Sequence, residues 1–318
     1  MRKNLLLVML LVGSLLIAAC GDQRSDKEVV VDAFESVLEA ESYKAASDVD
    51  FDFSLDINDP FVEPYLQMIN DIELSFDQTY DANKELQEAV IYFEGQMAPL
   101  TINVEVPFLQ DLANEKMYIE TDSLVDNLGM LFPIPEEAKG KLIEIDIEEV
   151  DPQAQEFDQA ELEERMQQML TELLENKDDA DFTRGEDDEY IVSFGENDVR
   201  TLIEEFFNEF SDLLTPEELD MINEDLDEGF DELFEVLTIN QFDVAVEVDG
   251  DELTRQTFTI DFNIEDAGES MDMAFIVDTT YSNMNGDVEF TLDPENADIM
   301  DFDELDQMMT DMMMQGGF

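Results

Sequence analysis

The chain has 318 residues, of which 84 are acidic and 14 basic, with one cysteine and neither histidine nor tryptophan. A formal charge of −70 repels nucleic acid and anionic lipid headgroups, and the lack of histidine removes an imidazole base, imidazole metal ligands and a Ser-His-Asp triad. Hydrophobic residues at 44%, including 23 Phe, are still enough to build a core, which separates the chain from acidic disordered proteins.

The chain opens on Arg2 and Lys3, followed by an apolar run from Leu5 to Ala18 interrupted only by Gly13 and Ser14. A basic start and a short apolar stretch form the pattern of a secretory signal. At about 14 residues the run is shorter than the roughly 20 that a spanning helix needs. It ends in Leu16-Ile17-Ala18-Ala19-Cys20-Gly21, which resembles the lipobox of bacterial lipoproteins. That resemblance implies cleavage before Cys20 and a diacylglyceryl group on its thiol. Cys20 is the only cysteine, so no intramolecular disulfide can form. Two acyl chains hold a protein on a membrane where one binds only reversibly.

Residues 20–27 read as a short tether. A helix is predicted from about Lys27 to Glu41, with Val30, Ala33, Phe34, Val37 and Leu38 on one face. The period then changes to two. Tyr43, Ala45, Val49, Phe51, Phe53, Leu55 and Ile57 alternate with Lys44, Asp48, Asp50, Asp52, Ser54 and Asp56, which predicts a long strand with one apolar and one acidic face. After a short helix within residues 60–70, strands are expected at residues 72–80, 88–94, 100–108, 116–121 and 141–147, with a turn at Asp81-Ala82-Asn83. Leu100, Ile102, Val104, Val106 and Phe108 form the apolar row of the third of these.

A helical block follows Pro152. Asp158 with Glu161 can cap a helix reaching about Asn176. Residues 177–189 are polar, Tyr190 to Phe194 is a predicted strand, and Asn197 starts an amphipathic helix. Thr215-Pro216-Glu217-Glu218 is a further helix start, running to Val236. A four-stranded meander is then expected, built on the row Phe242, Val244, Val246, Val248, the row Phe258, Ile260, Phe262, Ile264, the row Met271, Met273, Phe275, Val277, and the row Val288, Phe290, Leu292. Asp249-Gly250 and Asn285-Gly286 are its hairpin turns. A Met-rich helix, residues 302–314, closes the chain.

About ten one-sided strands favour an antiparallel sheet with one face in water and helices on the other, an α+β fold. The order of elements, from lipobox through first helix and long strand at Ser42-Tyr43 to consecutive hairpins with late helices, resembles extracytoplasmic lipoproteins of the LolA and LppX/LprG-like group. The segment Asn114-Glu115-Lys116-Met117-Tyr118-Ile119-Glu120-Thr121 looks like a strand of such Gram-positive lipoproteins. The likeness spans most of residues 28–292. It implies a curved antiparallel half-barrel whose concave apolar face is covered by helices and binds acyl chains or lipoproteins, and it brings no catalytic residues. The expected organisation is a signal peptide 1–19, a tether 20–27 and a single half-barrel-like domain 28–318, with a helical insertion 152–237.

These features predict a membrane-anchored, extracytoplasmic, non-enzymatic protein that binds a lipid or other amphiphile. The candidate ligand-binding residues are Phe51, Phe53, Leu55, Val104, Val106, Phe258, Ile260, Phe262, Met273 and Phe275. The alternative is a cell-envelope scaffold with a filled core that meets a protein partner. No nucleotide-binding glycine motif is present, and calcium-loop spacing fails when aligned on either Gly229 or Gly286; no cofactor or specific metal is expected. Met308, Met309, Met312, Met313 and Met314 read as a packing face, with thioether binding of a soft ion as the sharper alternative.

Overall fold

A computed structural model describes residues 24–55, 63–97, 100–129, 134–147, 165, 169, 171–185, 189–209, 233–266 and 268–314. The expected signal peptide, Cys20 and the first part of the tether lie outside the described residues, as do much of the 152–237 insertion and the helix starts at Asp158 and Thr215. The architecture is α+β: one open sheet of twelve strands with helices packed on it.

The first helix, α1 (Asp26–Leu38), begins one residue earlier than the sequence predicts and ends three residues sooner. Ser25 sets the start. Its hydroxyl accepts the Glu28 N–H at 3.2 Å while the Glu28 carboxylate accepts the Ser25 N–H at 2.7 Å, a reciprocal capping box. Then come β1 (Ser42–Leu55), α2 (Glu63–Asn70), β2 (Glu73–Asp81), β3 (Leu86–Met97), β4 (Leu100–Asp111), β5 (Lys116–Glu120), α3 (Asp122–Leu128) and β6 (Leu142–Asp146). The second half holds β7 (Phe182–Arg184), β8 (Tyr190–Ser193), α4 (Glu196–Glu209), β9 (Leu237–Asp249), β10 (Glu252–Asp266), β11 (Glu269–Ser282), β12 (Ile299–Asp301) and α5 (Phe302–Met314).

The strand order is β12-β6-β5-β4-β3-β2-β1-β11-β10-β9-β8-β7, antiparallel throughout except for the parallel pair β12–β6. The first strand therefore sits in the middle. It joins a meander built by β2 to β6 to a second block built by β7 to β11. Between β9 and β10 the chain reverses through Gly250, whose φ of +71° is easy for a residue without a Cβ.

Three expectations need correction. The sheet has twelve strands rather than about ten, because β7 and β12, each three residues long, are too short to show alternation in sequence. The 152–237 insertion holds, besides the strand expected at Tyr190 (β8), a second one, β7, and both extend the sheet. The row Val288, Phe290, Leu292 is not a fourth meander strand: β11 is already paired by β10 on one side and β1 on the other, so no edge remains for it.

Instead residues 283–298 cross the acidic face of the sheet. Phe290, Leu292 and Ala297 pack there on Leu109, Tyr118 and Leu142. Buried Glu88, 3% exposed, takes the role of a strand partner: its carboxylate accepts the N–H groups of Thr291 and Leu292, each at 2.8 Å. Replacing Glu88 with alanine would leave both amides without that acceptor under a packed segment, and the expected loss is about 2–4 kcal/mol by urea denaturation. Glu88→Gln, which keeps a carbonyl oxygen, should recover part of it; equal stability of the two variants would refute this role.

Two further clusters cover the ends of the opposite, apolar face. Val29, Val30 and Ala33 of α1 and Leu173 and Leu174 of the helical residues 171–176 bury Val192, Val244 and Val246. Beside them Lys177 is almost fully buried. It is held by Asp198 at 2.8 Å and Asp181 at 3.4 Å, with its ammonium 4.9 Å from the centre of the Phe194 ring. At the other wing Val125 of α3 and Leu305 of α5 meet Ile143 and Met300, with Met308 and Met309 packed alongside. Met313 and Met314, by contrast, are 54% and 79% exposed.

Candidate functional site

Residues directly opposite one another in paired strands point to the same face of a sheet. The registers therefore settle where the ten candidate residues lie. Val244, Phe258, Val277, Val49, Leu74, Phe93 and Val104 form a single row across seven strands from β9 to β4. Next to it Phe242, Ile260, Phe275 and Phe51 line up, then Ile239, Phe262, Met273 and Phe53, then Leu237, Ile264, Met271 and Leu55. On the other side Val106 lies in a row with Ile91, Phe76 and Ser47. All ten candidates share the apolar face.

They are not one site, however. Val104 is 5% exposed, in the wing where α3 packs against β4 and the Ser123 hydroxyl accepts the Glu105 N–H at 2.8 Å. Phe258 packs against the α1 cluster. Phe51, Phe53, Leu55, Ile260, Phe262, Met273 and Phe275 belong to none of the three buried clusters and are each half-buried. They lie on the adjacent strands β1, β11 and β10. The Phe53 and Phe275 rings meet edge to face at 5.4 Å, Phe262 stacks on Phe275 at 6.2 Å, and Phe51 lies 5.9 Å from Phe53. Such contacts prefer offset or perpendicular rings, as here. Ile91, 38% exposed, lies farther along the same face on β3. Ile264, Met271 and Phe76 share the face but were not among the candidates, although the same alternation marks them.

Local chemistry fixes this patch at the free end of β1. Pairing of β1 with β2 stops at Val49 opposite Leu74. Beyond it the Asn70 side chain stands in for a strand, accepting the Phe53 N–H and donating to the Phe53 carbonyl, both at 2.9 Å. At the other end of the face the surface turns polar. Ser47 and Thr279 are buried and share a hydrogen bond at 2.8 Å, and Tyr43 packs against Tyr80 and Tyr281. Burial pushes the Tyr281 phenol up from its ordinary range.

The opposite face carries the charge. Arg255 Nε donates to Asp278 at 2.9 Å and Nη1 to Glu247 at 3.0 Å. These bonds raise the Arg255 guanidinium and hold the Asp278 carboxyl below its ordinary value. A depressed carboxyl stabilises the fold above its unfolded value, about 3.8, and that contribution is lost as pH falls below it. An open hollow of about 430 Å³ also lies on this side, lined by Glu120, Lys141, Leu142, Thr291, Asp293 and Asp298 among others. Burial, with Asp122 and Glu105 adding to it, pushes the Glu120 carboxyl up. Among the described residues no group of acidic side chains is arranged to hold a metal ion, and no described helix is long and apolar enough to cross a membrane.

Comparison with known proteins finds no family model that matches the chain and no characterised sequence similar to it.

Proposed function

We propose that this protein is an extracytoplasmic lipoprotein, anchored to the cell membrane by acyl chains on Cys20, that binds the chain of a lipid or other amphiphile on the apolar face of its sheet. In this reading the sheet curves as a half-barrel with that face inward. The observation that carries it is the half-buried patch of Phe51, Phe53, Leu55, Ile260, Phe262, Met273 and Phe275, which belongs to none of the buried clusters among the described residues. Large apolar surfaces left partly open on a soluble domain mark binding sites. The competing reading, a scaffold with a filled core, draws on the solid packing of both wings.

Native mass spectrometry of protein purified from its own host tests the first reading. The expected result is a co-purifying amphiphile in the wild type. Phe275→Ala should weaken uptake about tenfold or more, since a phenyl group contributes roughly 1.5–3 kcal/mol when covered. Reproducible absence of any bound amphiphile, with no uptake of added lipid by folded protein, would rule this reading out in favour of the scaffold.

A further inference from the structure

Resting on the binding reading above, we infer that the amphiphile held on this face has a head group without negative charge. The first reason is the chemistry of the face. Among the described strand side chains, Arg184 of β7 is the only charged one in its register. It lies at the far edge, bonded to Asp26 at 2.9 Å and over the Tyr190 ring.

The second reason is the placement of cations along the chain. Residues 45–83, 85–115, 201–254 and 256–318 contain no lysine or arginine. Every residue of the patch falls inside these stretches. The nearest cations along its strands, Lys44 and Arg255, stand on the acidic face. They lie opposite Ser282 and Thr280, near the strand ends away from the patch. From Lys44 to Phe51 the strand rises about 23 Å. Arg200 of α4 lies nearer the start of β9, but its guanidinium already stands 4.9 Å over the Phe234 ring, so an anionic head group would sit in the field of a strongly negative protein without a cation of the strands beside it. An uncharged head group incurs no such repulsion.

Two probes with the same acyl chain separate the cases: 1-lauroylglycerol, which is neutral, and laurate, which is ionised at about pH 8. Each is titrated calorimetrically into the purified, delipidated full mature chain, at about 20 mM and about 1 M sodium chloride. The expected result is binding of lauroylglycerol at least about tenfold tighter than laurate at low salt, with the gap closing to about threefold or less at high salt. Laurate binding as tightly as lauroylglycerol at low salt would overturn the inference while leaving the apolar binding face standing. Failure of both to bind would overturn the binding reading itself, and this inference with it.

Discussion

Raising sodium chloride from about 0.01 to about 1 M is expected to lift the thermal midpoint of this protein by on the order of 10 °C. The reason is arithmetic before it is structure. With 84 acidic and 14 basic residues, most carboxylates have no cation to pair with. The sheet then gathers them. Asp48, Asp50 and Asp52 follow one another on the same face of β1, Asp48 stands directly opposite Asp278, and Glu73 of β2 stands directly opposite Glu94 of β3. Like charges in such positions oppose strand pairing. Arg255 neutralises one of these carboxylates through its bonds to Asp278. Over the stated range the screening length falls from about 30 Å to about 3 Å, below the spacing of neighbouring strands. At about 2–4 °C per kcal/mol for a domain of this size, the shift corresponds to roughly 3–5 kcal/mol. Differential scanning calorimetry checks it, with sucrose as the uncharged control that favours compact states without screening. A midpoint that stays flat from about 0.01 to about 0.5 M salt would mean that the acidic coat is too well solvated to strain the fold.

The same alternation that collects acids on one face made much of the architecture legible. In β1 each apolar residue from Val49 to Leu55 is separated by a single polar one, so both the strand and its two faces could be read locally. The hairpins announced themselves by Asp-Ala-Asn and Asp-Gly turns. Long-range pairing was not legible. Nothing in residues 42–55 says that this strand lies between β2 and β11, and that placement is what denies an edge to Val288, Phe290 and Leu292. Their alternation is real, but it serves a segment that buries Phe290 and Leu292 while its amides bond to Glu88. A side chain acting as a strand partner leaves no periodic trace.

The candidate site divides in the same way. The registers place Phe51, Phe53, Phe262 and Phe275 together, as their shared period implies. Val104 and Val106 obey the same period yet lie three strands away on β4, the strand against which α3 packs, and Val104 is buried there. Alternation reports which face a residue occupies. It does not report what lies above that face, which depends on helices supplied from elsewhere in the chain.

On the proposed acylation of Cys20, replacing it with serine is expected to remove the acyl anchor and, because the same cysteine marks the cleavage site, to leave no acylated mature chain in the membrane. Each buried methylene of an acyl chain contributes about 0.8 kcal/mol to membrane affinity, so two long chains make dissociation negligible and their loss leaves nothing equivalent. The described chain offers no substitute: none of its helices is long and apolar enough to span a bilayer. The tether would also set the distance of the domain from the membrane. Arg24 donates to Asp32 at 2.8 Å and to Asp251, tying the start of α1 to the β9–β10 turn. Four residue steps separate Cys20 from Arg24, at most about 15 Å of extended chain, so this turn would be held nearest the bilayer. Detergent-phase partitioning of wild type and Cys20→Ser protein from whole cells, with intact mass to locate the new N-terminus, gives the answer. Wild-type protein recovered from the membrane without acyl groups, residues 1–19 still attached, would show that the apolar run anchors the chain uncleaved and that acylation of Cys20 has no part in its attachment.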